Sequence, residues 1–138
     1  MPNAASLGMM RFEMLTGNAT VLVVGNIQRA TDYYRDRLGF TVVVYEEEPE
    51  HYATAQRDNG HVHFAHEGGV KGRPNHEVIP PDLFDAYFWP NDVDALHAEL
   101  AGRGAVIIQT PADQPYGLRE FRVQDPDGYI LAFGKRMS

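Results

Sequence analysis
An internal repeat constrains this chain more than any other feature. Residues 20–24 (TVLVV) form a β-branched run. Ile27, Ala30, Tyr34 and Leu38 then recur at helical spacing, and strand-like runs follow at 40–45 (FTVVVY), 52–56 and 61–66. The same order returns at 85–89 (DAYFW), at Val93, Leu96 and Leu100, and at 105–109, 118–124 and 129–133. Asn26 and Asp92, each a residue type that caps helix N-termini, stand 66 positions apart, and Gly60 and Gly128 stand 68 apart. Gly39 closes the first helix, and Gly102 and Gly104 the second. A repeated strand–helix–strand–strand–strand unit is the trace of a duplicated supersecondary module. One copy cannot cover its own sheet; two can enclose a cleft with the helices outside. The expected fold is therefore α+β, two βαβββ modules forming a curved mixed sheet. Module one spans about 19–66, a Gly- and Pro-rich connector 67–81, and module two about 82–134.

The last hairpin carries the most chemistry. Asp125-Pro126-Asp127-Gly128 is a turn with a mechanism: proline presets φ, aspartate bonds its own backbone and glycine tolerates positive φ. Alternation before it puts Phe121 and Val123 on one face, and Leu118, Glu120 and Arg122 on the other. Residues 1–18 are weakly patterned; Met9, Met10, Phe12, Met14 and Leu15 suit either a strand or a helical turn. The acidic run 46–50 (EEEPE) reads as a solvated loop.

Composition bounds the function. The 138 residues are 43% apolar and 22% charged, enough for one domain with a sizeable core. No cysteine is present, which removes disulfides, thiolate zinc sites and a cysteine nucleophile. Nineteen acids against twelve bases give a net charge of −7, which disfavours nucleic acid and favours cationic ligands. No apolar run approaches ~18 residues, so no membrane span is expected. The opening stretch MPNAASLGMMRFEML lacks the basic and apolar regions of a signal peptide, and a cytoplasmic location is the expectation.

The repeat, YYRDRLGF (33–40), NDVDAL (91–96) and QPYGLREFRVQDPDGYILAF (114–133) together resemble the glyoxalase/bleomycin-resistance/dioxygenase proteins, the vicinal oxygen chelate superfamily. The likeness covers roughly residues 19–134 and is greatest to the bleomycin-resistance branch, whose members sequester a drug in dimer clefts without chemistry. Enzymes of the superfamily hold a divalent metal at equivalent places on four strands. Carried over by motif spacing, those places are Ala19, Phe64, Asp85 and Ala132. One carboxylate does not make a metal site, so neither metal nor cofactor is expected.

The resemblance also implies which face lines the cleft. With Phe64 and Ala132 facing it, alternation adds Val21 and Val23, Asp85, Tyr87 and Trp89, Glu120 and Arg122, and Tyr52 and Thr54. The candidate ligand-binding residues are Trp89, Tyr87, Phe64, Asp85, Glu120, Arg122, Tyr52 and, in the loop before the hairpin, Tyr116. Asp85 and Glu120 would meet ligand cations; Arg122 would pair a ligand carboxylate or neutralise Glu120. By the same parity His61 and His63 point away from the cleft. The resulting expectation is a homodimeric, metal-independent protein that sequesters a cationic or heteroaromatic small molecule and is not an enzyme. The alternative is a metal-dependent glyoxalase-, lyase- or dioxygenase-type enzyme of the same superfamily.

Overall fold
The caps set the two long helices. In the computed structural model, which describes residues 13–45 and 51–138, Asn26 has extended backbone and its Oδ1 accepts from Arg29 N at 2.8 Å. Helix α1 follows over Ile27–Asp36 and buries Ile27, Ala30, Thr31 and Tyr34. Asp92 does the same for Ala95 N at 3.0 Å, and α3 follows over Val93–Gly102. Both helix ends keep the 66-residue offset (93 − 27 and 102 − 36). Strands β1 (Thr20–Val23), β2 (Thr41–Val44), β3 (Tyr52–Arg57) and β4 (Gly60–Ala65) form one sheet in the order β1-β4-β3-β2. Strands β5 (Ala86–Phe88), β6 (Val106–Asp113), β7 (Leu118–Gln124) and β8 (Ile130–Arg136) form the other, in the order β5-β8-β7-β6. In each, the strand before the helix pairs in parallel with the last strand, so the two modules have one topology. The connector contains a short helix, α2 (Asn75–Val78), which the unpatterned sequence did not signal.

Met14 and Leu15 lie exposed in an irregular stretch, while Met9, Met10 and Phe12 fall outside the described residues, as does the acidic run 46–50.

Both sheets turn their apolar side chains towards the helices and share one core. Leu22, Ala53, Ala55, Val62 and Phe64 supply the first sheet's contribution; Ala86, Phe121, Val123, Leu131 and Phe133 supply the second's. Phe40 and Phe88 meet edge-on across the module boundary at 6.2 Å, and Phe88, Phe133 and Phe121 stack in series at 5.1 and 5.0 Å.

Each helix also grips the other module's hairpin. Tyr34 Oη donates to Asp125 Oδ2 at 2.8 Å, and Arg29 pairs with Asp127 at 2.9 Å. Symmetrically, Arg57 makes a two-pronged contact with Glu99, both arms 2.7 Å, and caps the α1 end by donating to Leu38 O at 2.9 Å. Arg57, against the opposing cost of burial and with help from Arg103, holds the Glu99 carboxyl down at about 2. A depressed folded value means stability present above the unfolded value near 4.5 and lost as pH falls towards 2. Because Glu99 is 38% exposed, solvent screening limits the effect. Glu99→Gln is expected to cost about 1 kcal/mol at pH 7 in urea unfolding, a difference that closes as the pH approaches 2.

One expected orientation is corrected by the strand register. Gln56 pairs with His61 across four turn residues (57–60), whereas Gln124 pairs with Ile130 across five (125–129). Aligning Gly60 with Gly128 therefore slips one strand by a residue, and a one-residue slip exchanges the two faces. Ala132 pairs with Arg122, and the matching pair in the first sheet is His63 with Thr54. So Phe64 faces the helices and packs on Tyr34 at 4.7 Å, fully buried. His61 and His63 lie on the open face, not away from it.

Candidate binding face
The side of each sheet away from the helices carries the other parity set. On the first sheet these are Val21, Val43, Tyr52, Thr54 and His63, with Val21 and Val43 more than half exposed. Tyr52 Oη and His63 Nδ1 lie 2.7 Å apart, and Tyr45 leans on Tyr52 at 6.1 Å. On the second sheet Tyr87, Ala132 and Arg122 pair in register across β5, β8 and β7, with Glu120 opposite Gly134.

The second face is built around a carboxylate with no solvent exposure. Glu120 Oε2 accepts from Tyr87 Oη at 2.7 Å; Oε1 accepts from Tyr116 Oη and from Arg122 Nη2, the latter at 3.0 Å. Arg122 Nη1 continues to Asp82, reaching its backbone oxygen at 2.8 Å and its carboxylate at 3.2 Å, while the guanidinium lies over the Phe84 ring at 5.5 Å. Burial alone would raise the Glu120 carboxyl, but Tyr116, Tyr87 and Arg122 together outweigh it and hold it below its ordinary value. Burial, then donation to Glu120, push both the Tyr87 and the Tyr116 phenols upward. Both phenol protons are thus committed to Glu120, and the phenol oxygens keep only lone pairs for anything outside.

Local structure aims these groups. The tight turn at Gln114–Gly117 is closed by Gly117 N to Gln114 O at 3.1 Å, with Gly117 at φ +87°, and swings Tyr116 over the strand. Gly134 leaves room for Tyr87: a Cβ there would sit 1.9 Å from the phenol oxygen. Trp89, 78% exposed, stands 6.0 Å from the Tyr87 ring, and Phe84 stands 5.2 Å from it on the strand's other flank.

Of the sequence-derived candidates, the structure gathers Tyr87, Trp89, Tyr116, Glu120 and Arg122 on this face. It places Tyr52 on the first sheet's open face and Phe64 in the core. Asp85 sits just before β5, with Oδ2 accepting from Ile130 N and Oδ1 from Asn75 N, both at 2.8 Å, so it ties backbone together. Asp82 and Phe84 were missed. They belong to a stretch without alternation, and only the fold brings them to Arg122.

The donor positions implied for a metal become Ala19, His63, Asp85 and Ala132 once the register is corrected. This adds an imidazole where a phenyl ring was expected. His63 Nδ1 is taken by Tyr52 and both Asp85 oxygens by backbone N–H groups, and among the described residues no three His, Asp or Glu side chains converge. This donor set does not fit a divalent ion.

The family model for the glyoxalase/bleomycin resistance protein/dioxygenase superfamily matches residues 17–133. The chain belongs to that superfamily. Among solved structures it is similar to a glyoxalase-related enzyme from Clostridium phytofermentans (TM-score 0.70, 17% identity, 92% of this chain and 99% of that one). It is also similar to TioX from Micromonospora sp. ML1 (TM-score 0.67, 21% identity, 88% and 99%) and to a superfamily member from Sphaerobacter thermophilus (TM-score 0.66, 20% identity, 89% and 98%). At these identities the likeness is one of fold. No curated protein matches the chain. No helix among the described residues is long and apolar enough to cross a membrane.

Proposed function
We propose that the protein is a metal-independent binder of the bleomycin-resistance kind, holding a cationic or heteroaromatic small molecule against the open face of its second sheet. The observation that carries this reading is the Glu120 network. By accepting both phenol protons it fixes the Tyr87 and Tyr116 rings on this face and leaves their oxygens only lone pairs to offer, beside the exposed indole of Trp89. Such a surface stacks a flat ring system and accepts from its N–H groups or attracts its positive charge. Asp82, about half exposed, is the carboxylate within reach of a ligand, in place of the expected Asp85 and Glu120. Sequestration needs affinity alone. The exposed apolar face of the first sheet suits a homodimer in which a second copy closes the cleft, bringing Tyr52 and His63 opposite.

Isothermal titration with bleomycin and with smaller heteroaromatic cations tests the reading. Saturable binding with a change in the fluorescence of Trp89, the single tryptophan, is expected. Tyr116→Ala should weaken it by about tenfold, within the range for one aromatic–cation contact. No heat and no fluorescence change at sub-millimolar ligand would sink the proposal. One bound divalent ion per chain, in protein purified without chelator, would instead favour the metal-dependent enzyme.

A further inference from the structure
The open faces are not the only surface with a place for a ligand. Where the modules meet on the helix side lies a cavity of about 590 Å³, within the range of small-molecule sites. Its floor is apolar and drawn from both modules: Leu38, Phe40, Phe88, Leu96, Leu100 and Phe133. Phe40, Phe88 and Phe133 form a continuous ring surface, the first pair edge-on at 6.2 Å and the second stacked at 5.1 Å. One wall is the Arg57–Glu99 pair, and Glu99 also holds Arg103 at 2.9 Å, so this cluster carries two guanidiniums for one carboxylate. The mouth carries Asp58 and Asp92 with the amides of Asn59 and Asn91, and Trp89 stands at its edge. Asp92 Oδ1 is used by Ala95 N; neither Asp58 nor Asp92 faces a cationic side chain within ion-pair distance among the described residues. The lining thus has an aromatic base and an acidic rim; it shares Tyr87 and Trp89 with the second sheet's open face, while Tyr116, Glu120 and Arg122 do not line it.

We infer that this junction cavity is a second small-molecule site, taking an aromatic compound with a pendant cationic amine: rings on the Phe40–Phe88–Phe133 floor, ammonium at the Asp58–Asp92 rim. The apolar floor requires a hydrophobic body, because a fully polar solute would lose its hydration there without replacement hydrogen bonds. Asp58 and Asp92 together outnumber the one surplus guanidinium of the Arg57–Glu99–Arg103 cluster, so the net negative rim selects the sign of the head group. An anion would be repelled by both, and the nearest guanidinium, Arg57, is already held by Glu99 and by Leu38 O. This site does not depend on the reading given for the open face.

The test is isothermal titration of the whole chain with 2-naphthylmethylammonium and with 2-naphthoate, two probes that share a ring system and differ in charge. Ala95 lies exposed on α3 at the cavity wall, so Ala95→Trp fills the space from outside the core. Asp58→Asn with Asp92→Asn removes the rim charge while keeping a residue type that tolerates positive φ at 58, where φ is 50°, and one that caps the helix at 92. The ammonium probe should bind more tightly than the carboxylate. Ala95→Trp should weaken it at least tenfold, and the double asparagine variant on the order of tenfold, as two exposed ion pairs would. Tyr116→Ala, at a residue that does not line the cavity, should leave this binding in place. Equal affinity for the two probes, or wild-type affinity in both the tryptophan and the asparagine variants, would overturn the inference. Should Ala95→Trp fail to fold, the asparagine pair decides. Binding lost in Tyr116→Ala but kept in Ala95→Trp would place the probe on the open face and also overturn it.

Discussion
Asp125→Ala is expected to destabilise the protein by about 3–6 kcal/mol, read as a fall in the urea midpoint without a change in slope. Asp125 is 6% exposed and serves three donors. Its Oδ1 accepts from Asp127 N at 2.9 Å and Tyr129 N at 3.0 Å; its Oδ2 accepts from Tyr34 Oη at 2.8 Å. Alanine leaves all three without a partner at the point where module one's helix docks on module two's hairpin, and each such buried group costs about 1–3 kcal/mol. Burial, only partly offset by those donors, pushes the carboxyl up to about 7. The sign follows from the proton count. Between the unfolded value near 3.8 and about 7 the folded chain holds more protons than the unfolded one, so stability falls as pH rises through that window and is flat above it. Asp125→Asn carries no charge, keeps an acceptor for the two backbone N–H groups and offers its amide to the Tyr34 oxygen. Its melting temperature should come closest to the wild type near pH 4 and exceed it by a widening margin up to about pH 7, measured as the difference between the two. Parallel curves across this range would show that Asp125 does not titrate in the folded protein.

Glu120→Ala should cost about 3–5 kcal/mol, the usual consequence of stripping one partner from a buried charged pair. The Arg122 guanidinium, 12% exposed, would lose its enclosed counter-charge and retain only Asp82 at the margin. Tyr87 and Tyr116 would lose the acceptor that orients them, so near-ultraviolet circular dichroism of the tyrosines should change along with the unfolding midpoint. Glu120→Gln should fall between the two, because one amide oxygen can still accept but the amide nitrogen cannot. An alanine variant with wild-type stability would mean that the phenols and Arg122 are held by their strands and not by this carboxylate.

What was legible in the chain is what local chemistry decides. Asn26 and Asp92 cap helices because a short side-chain oxygen reaches a backbone N–H three residues on, and that needs no knowledge of the rest of the molecule. The β7 face was legible for a similar reason. Strict alternation from Glu120 to Gln124 leaves one way to bury Phe121 and Val123, and Glu120 and Arg122 must then share the other side. The superfamily was legible as a resemblance, carried by the repeat together with YYRDRLGF, NDVDAL and the motif at 114–133.

Phe64 marks where that reasoning ends. Its strand has the same period as β8, but the turn before it is one residue shorter, and turn length is invisible to periodicity. The error moved a phenylalanine into the cleft and a histidine out of it. Asp85 fails differently: its parity was right, yet its oxygens are consumed by Ile130 N and Asn75 N, neither of which is its neighbour in sequence.

Side-chain period and capping chemistry therefore settle the order of the eight strands and the two long helices, and which way most side chains point, but not the short uncapped helix α2. They do not settle register between strands, nor which groups separated by some 90 residues meet, as Tyr34 and Asp125 do. Those depend on how two separately patterned modules dock, because burial energy is collected from the whole shared core and not from any one segment. The locked phenols around Glu120, the acidic mouth of the junction cavity and the buried carboxyl of Asp125 all arise at that second level.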